Sequence, residues 1–191
     1  SAIEEYRTEK ERLDFTEQQF RDLSAAREEL SRVVERLEKE MRVRFADAVT
    51  EINRNFQVIF RELFGGGNAE IALSDPDSPL ECGIEINAAP PGKIIKSMSL
   101  MSGGEQSFTA IALIFAILNV NPTPFCIFDE IEAALDEVNV AHFAEYMKRY
   151  CGKTQFIVIT HRRGTMEAAD MIYGVSMPER GISRVLALNV N

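Results

Sequence analysis

The sequence predicts an α/β domain with parallel strands in its core, entered by one long helix. Three observations predict it. Residues 2–64 are rich in Glu and Arg and contain no Gly or Pro, the composition of an uninterrupted helix. From Ser102 onward, strand-like and helix-like segments alternate. Phe125 to Phe128 is a continuous apolar run of the kind buried in a parallel sheet, and 155–160 reads as another buried strand. With 191 residues, 46% of them hydrophobic, the chain has enough apolar material for its own core.

Read in sevens, one position of the long helix gives Tyr6, Leu13, Phe20, Arg27, Val34, Met41 and Ala48. The position three further on gives Glu9, Thr16, Leu23, Leu30, Leu37 and Arg44. Phe20, Leu23, Leu30, Val34, Leu37 and Met41 make a coiled-coil seam. After Met41 the apolar phase drifts through Phe45, Val49, Ile52, Phe56, Ile59, Phe60 and Leu63. Such a drift indicates a helix that leaves a coil and packs on a globular body. The helix would span roughly 90 Å, and its leucine stripe calls for a partner helix. A helical bundle within one domain is the alternative.

Gly65-Gly66-Gly67 stops the helix. Short strands are expected at 69–74 and 82–88, around the turn Asp75-Pro76-Asp77-Ser78-Pro79. Ala89-Pro90-Pro91-Gly92-Lys93 reads as a loop. An apolar helix is expected from Ser102 to about Val120, a second helix near 137–150, and a short one at Met166 to Ala169. A closing hairpin, 171–177 with 182–190, turns at Pro178-Glu179-Arg180-Gly181.

The net charge of −9 argues against an intrinsically basic nucleic-acid binder. DNA contact through a local patch or a partner chain stays open. Cys82, Cys126 and Cys151 are widely spaced, which suggests a reducing compartment and no zinc site. No run of about 18 apolar residues occurs, so no membrane span is expected. The charged N-terminal stretch does not read as a signal peptide.

The chemistry lies in four ordered signals. Ser102-Gly103-Gly104 opens a helix, leaving backbone N–H groups unobstructed at the positive end of the dipole, a natural anion site. Alone it is only a turn. Asp129-Glu130 follows the strand Phe125 to Phe128, at the carboxyl end where α/β proteins bind ligands. Asp129 is suited to hold magnesium through water, and Glu130 to deprotonate an attacking water. The same pair also serves as a common helix cap. Asp136 follows Ala133-Ala134-Leu135 and by itself is an ordinary acid. His161 ends the next strand at the same sheet edge, placed for a γ-phosphate or for a structural hydrogen bond. His142 lies among ordinary helix residues and is assigned no role. The order and spacing of the four signals give them weight together.

No phosphate-binding loop of the form G-x-x-x-x-G-K-[ST] occurs in the sequence. Gly152-Lys153-Thr154 imitates its end, but Met147 stands where the first glycine belongs, and a helix precedes it. Gly92-Lys93 is followed by Ile94, where Ser or Thr would bind magnesium. Gly65-Gly66-Gly67 has no lysine in reach.

At these residues the chain resembles the C-terminal head segment of a bacterial-type SMC (structural maintenance of chromosomes) protein, an ABC-type ATPase. The likeness runs from the incoming coil through Phe60 to Gly67, Pro90 to Lys93 and Leu100 to Glu105. It continues through Phe128 to Asp136 and Ile159 to Arg162. Met101 stands where leucine is usual, and Gln106 where a basic residue is common.

The resemblance implies a coiled-coil helix at 1–64 and a C-terminal ATPase lobe at 65–191, with a mainly parallel sheet flanked by helices. Ser102, Gly103, Gly104 and Glu105 would be the signature motif, acting on ATP bound by an opposite head. Asp129 would be the magnesium ligand, Glu130 the general base (the Walker B pair), Asp136 the D-loop acid and His161 the switch histidine. ATP and magnesium are the implied cofactors. The implied partners are the N-terminal half of the same head, a second head, a kleisin winged-helix domain, and DNA through the assembled complex. An exposed apolar face is expected where the N-terminal lobe would pack. The implied work is chromosome condensation and segregation, in the cytoplasm on the nucleoid. The alternatives are a related ABC-type DNA-repair ATPase and a non-catalytic coiled-coil module that binds partners.

Overall fold

The computed structural model describes residues 1–94, 96–150, 152 and 154–190. Cys151 and the Lys153 of the imitation phosphate loop lie outside the described residues. The chain divides into two compact units, Ser1–Ala46 and Asp47–Asn191.

Helix α1 runs over Ala2–Phe64, as its freedom from Gly and Pro requires. In the first unit it is the whole structure. There Phe20, Leu23, Leu30, Val34, Leu37 and Met41 are all exposed. Glu17–Arg21, Glu28–Arg32 and Glu40–Arg44 pair four residues apart with the acid first, the orientation that supports a helix by about 0.2–0.5 kcal/mol per pair. In the second unit the same helix buries Val49, Phe56, Ile59, Phe60 and Leu63, all from the drifted apolar phase. It ends in a Schellman cap. Gly65 takes φ 70°, and the Gly66 N–H reaches the Arg61 carbonyl at 2.8 Å.

Strands β1 (Asn68–Leu73), β2 (Ile84–Ala89) and β3 (Lys96–Ser97) form an antiparallel sheet. It is tied to α1 where the Ile71 N–H donates to Asn53 Oδ1 at 2.9 Å. Helix α2 (Gly103–Val120) carries the core of this unit, with Phe108, Ile111, Ala112, Phe115, Ala116 and Leu118 buried. Its length and mean hydropathy of 1.3 are also those of a membrane-crossing helix, as holds for many core helices, and its apolar residues here are packed against aromatic neighbours. Phe115 lies 4.7 Å from Tyr146 and about 6 Å from Phe128, Phe143, Tyr150 and Phe156, ring centre to ring centre.

Strand β4 (Phe125–Asp129), helix α3 (Glu137–Tyr150) and strand β5 (Gln155–Ile159) form a βαβ unit. β4 and β5 pair in parallel, with Asp129 opposite Ile159. Helix α4 spans Arg163–Glu167, three residues earlier than expected. Strands β6 (Met171–Glu179) and β7 (Ile182–Asn189) close the chain as an antiparallel hairpin.

The mainly parallel sheet implied by the sequence is corrected. Among the described residues the strands form three small sheets, and only β4–β5 is parallel. The links decide this. β6 and β7 are joined by Arg180-Gly181 alone, and β1 and β2 by one short loop, and links that short permit only antiparallel pairing. Of the strand pairs among the described residues, only β4 and β5 have a helix between them.

One face of β4–β5 packs on α2 and α3 through Phe128. Among the described residues nothing covers the other face. Phe125, Ile127, Ile157 and Ile159 point there and are exposed. An exposed apolar face was expected, and this strand pair presents one.

Candidate functional site

The site is built where β4 and β5 end. Asp129 is the last residue of β4, and Glu130 turns the chain away at φ 48°. A non-glycine residue in this region costs energy and is held only where surroundings fix it. Here the Glu130 N–H is bound to the Ile159 carbonyl at 2.9 Å, and its carbonyl accepts the Ala133 N–H at 3.0 Å. The turn aims the Glu130 carboxylate at the end of β5, where His161 Nδ1 stands 3.4 Å from Glu130 Oε1. Both side chains are exposed. An Nδ1–H tautomer donates to Glu130 and leaves the other ring nitrogen open as an acceptor.

From Glu130 the chain coils through Ala133 and Leu135 to Asp136. Asp136 caps α3 by accepting the Asn139 N–H on Oδ1 at 2.8 Å. This loop meets the start of α2 at Gly104. A Cβ on Gly104 would stand 3.1 Å from the Ala134 carbonyl oxygen. The second glycine of Ser102-Gly103-Gly104 therefore serves close approach, while Gly103 opens to free space.

At the N-terminus of α2, Glu105 takes the Ser102 hydroxyl at 2.8 Å and its backbone N–H at 3.2 Å. Lys93 Nζ completes the cluster, 2.7 Å from Glu105 Oε1. Lys93 and then Ser102 hold the Glu105 carboxyl below its ordinary range. Gln106, which departs from the basic residue common at its position, donates to the Met98 and Met101 carbonyls at 3.0 and 3.2 Å. It fastens the turn preceding the motif.

The structure thus brings Asp129, Glu130 and His161 to one edge, and joins the Asp136 loop to Gly104. Among the described residues no group of three or more His, Cys, Asp or Glu comes together as a metal cage. One or two carboxylates at this edge, Asp129 among them, would suit only a magnesium ion that keeps most of its waters. Cys82 and Cys126 are free thiols, and burial pushes the Cys126 thiol up.

Sequence reasoning passed over several residues. Lys93 drew notice in a failed phosphate loop and in the family likeness, not as a partner of Glu105. His142 was given no role, yet its Nδ1 lies 3.0 Å from the Leu63 carbonyl at the end of α1. Glu132, Thr160 and Arg162 bond to one another around the site, and no sequence signal marks that network.

The family model described as RecF/RecN/SMC N terminal domain matches residues 8–184. The chromosome partition protein Smc of Bacillus subtilis is 51% identical over 189 residues, covering 99% of this chain and 16% of that protein. The Smc head of Pyrococcus furiosus, solved with an extended coiled coil and bound to the C-terminal domain of ScpA, matches with TM-score 0.75 and 43% identity. That match covers 88% of this chain and 42% of the other. A chain solved in work on ATP-driven dimerization and DNA-stimulated activation of SMC ATPases matches with TM-score 0.72 and 43% identity, covering 78% of this chain and 90% of the other. The chain spans about a sixth of the length of the curated relatives it matches. With a family model spanning nearly all of it and a relative half identical along its length, this chain belongs to the SMC family and forms part of an SMC head.

Proposed function

We propose that this chain is the C-terminal half of an SMC ATPase head, with residues 1–64 its coiled-coil arm and 65–191 its lobe. The observation that carries the reading is the meeting of Glu130 and His161 at 3.4 Å beyond β4 and β5, in a chain with no lysine-bearing phosphate loop. The matching family model is described as an N-terminal domain, but the motif order here, coil, signature turn, Asp-Glu pair and histidine, is that of the second half. This chain also covers only 42% of the Pyrococcus furiosus head chain, so such a head holds more than is present here.

In this reading Glu130 takes the proton of the attacking water, and His161 orients it. Asp129 holds magnesium, which neutralises phosphate charge when bound. Ser102, Gly103, Gly104 and Glu105 face an ATP carried by the opposite head, and Asp136 lies where the two heads meet. The N-terminal half packs on the bare face of β4–β5. A kleisin winged-helix domain binds this lobe, as ScpA binds the Pyrococcus furiosus head. The assembled protein organises DNA in chromosome segregation, on the nucleoid in the cytoplasm.

Mixing this chain with its separately expressed N-terminal half tests the reading. The chain alone should not hydrolyse ATP, and the mixture should, with magnesium. Glu130→Gln in the mixture should trap ATP-bound dimers, seen by light scattering. ATP hydrolysis by the purified chain alone would falsify the half-site assignment.

A further inference from the structure

Glu132 is 1% exposed, although it lies in the loop between β4 and α3, where acids are normally solvated. Its Oε1 accepts hydrogen bonds from the Thr160 hydroxyl and, at 3.1 Å, from the Thr165 hydroxyl. Thr160 Oγ1 also accepts the Arg162 backbone N–H at 2.9 Å. The Arg162 side chain then turns back on the loop that holds Glu132. Its Nη2 donates to the Ala133 carbonyl at 2.8 Å and to the Leu135 carbonyl at 3.1 Å. The ring of contacts is closed. It fastens the loop leading to Asp136 onto the segment that carries His161, from both sides of that histidine.

The network is not what stability alone would select. Among the described residues, Glu132 Oε2 and Arg162 Nε are buried and find no hydrogen-bond partner. A half-satisfied buried polar network is worse for folding than an apolar one of the same volume. Its geometry has a different use. Residues 160 and 162 flank His161, and residues 133 and 135 lie between Glu130 and Asp136. Any movement of one loop must move the other.

We propose that Glu132, Thr160 and Arg162 are positioning residues, which hold His161 and the Asp136 loop in one fixed relation so that both address the same phosphate. None of the three touches the reacting atoms. The proposal rests on the ATPase reading above.

The test uses the head assembled from this chain and its N-terminal half. Thr160→Val should lower kcat for ATP hydrolysis about 10- to 100-fold, the range that small misplacements cost, with the KM for ATP changed less than about 2-fold. Thr160→Ser, which keeps the hydroxyl, should restore kcat to within about 3-fold of the parent. Arg162→Lys keeps the charge but not the fork and should reproduce the Thr160→Val loss. Glu132→Gln combined with Thr160→Val should be no slower than the slower single variant. Parental kcat in both Thr160→Val and Arg162→Lys, no rescue by Thr160→Ser, or additive losses in the double variant would each overturn the proposal. If Glu130→Gln in the same head turns over ATP at the parental rate, the ATPase reading itself falls, and this proposal falls with it. If Glu130→Gln abolishes turnover while Thr160→Val keeps the parental rate, only the positioning role is lost.

Discussion

The Glu105 carboxylate holds Ser102 twice, taking its hydroxyl at 2.8 Å and its backbone N–H at 3.2 Å. The proton that Ser102 could offer a phosphate is thus already engaged within the chain. An arriving γ-phosphate must displace Glu105 or share the hydroxyl with it. Glu105→Gln should weaken this cap and lower stability by about 1 kcal/mol in urea unfolding, as loss of a helix cap does. The sign of the pH effect follows from the cause. Lys93 and Ser102 lower the folded-state pKa of Glu105, so the contribution is complete above the unfolded value of about 4.3. It is lost as pH falls further, through the folded value. Stability measured from pH 6 down to about 3 should therefore fall less steeply in Glu105→Gln than in the parent, and Lys93→Met should give part of the same flattening.

Asp136 both caps α3 and is the proposed D-loop acid, and two substitutions separate these roles. Asn is as good a helix cap as Asp. Asp136→Asn should keep stability within about 0.5 kcal/mol while reducing hydrolysis in the assembled head. Asp136→Ala should lose about 1 kcal/mol as well. Thermal melts with a coupled ATPase assay read both; undiminished turnover in Asp136→Asn would leave the residue only its cap.

Tyr146 bears on the alkaline limit of stability. Burial first, then the neighbouring Glu62 and Tyr150 charges, push its hydroxyl up to about 12. A raised folded-state value favours the fold below the unfolded value of about 10 and is lost as pH rises through the folded value. Stability should therefore drop between about pH 10 and 12, and Tyr146→Phe should remove most of the drop. Absorbance titration near the phenolate band should show the buried tyrosines ionising late.

The bare face of β4–β5 gives a clean separation of folding from assembly. Ile127 is 58% exposed. Ile127→Glu should leave the melting of this chain within about 0.5 kcal/mol of the parent, as surface changes do. In the mixture with the N-terminal half it should prevent association, read by size-exclusion chromatography. Normal association would place the N-terminal lobe elsewhere.

Much of this was legible in the residues, for reasons that differ by element. The long helix was readable because nothing in 2–64 can break it and its stop, Gly65, takes a left-handed φ. The placement of Asp129, Glu130 and His161 at or just beyond strand ends was readable because apolar runs mark the strands. The sheet arrangement was not, since hydrophobic runs say a strand is buried and not with which strand it pairs. Glu132 was opaque for another reason. Its burial depends on Thr160 and Thr165, about thirty residues away, and in sequence it is one acid among several in Asp129 to Asp136. Lys93 was hidden by a motif it failed to complete, although it closes the Glu105 cluster.

The last two strands have a thermodynamic consequence. No residue of β6 or β7 is fully buried, and an isolated two-stranded hairpin is only marginally stable in water. Its amide protons should exchange through local opening, while those of α2, packed around Phe108 and Phe115, should wait for the whole unit to unfold. A partner that covers this hairpin would therefore announce itself as slowed deuterium uptake over 171–189, before any change in the melting temperature.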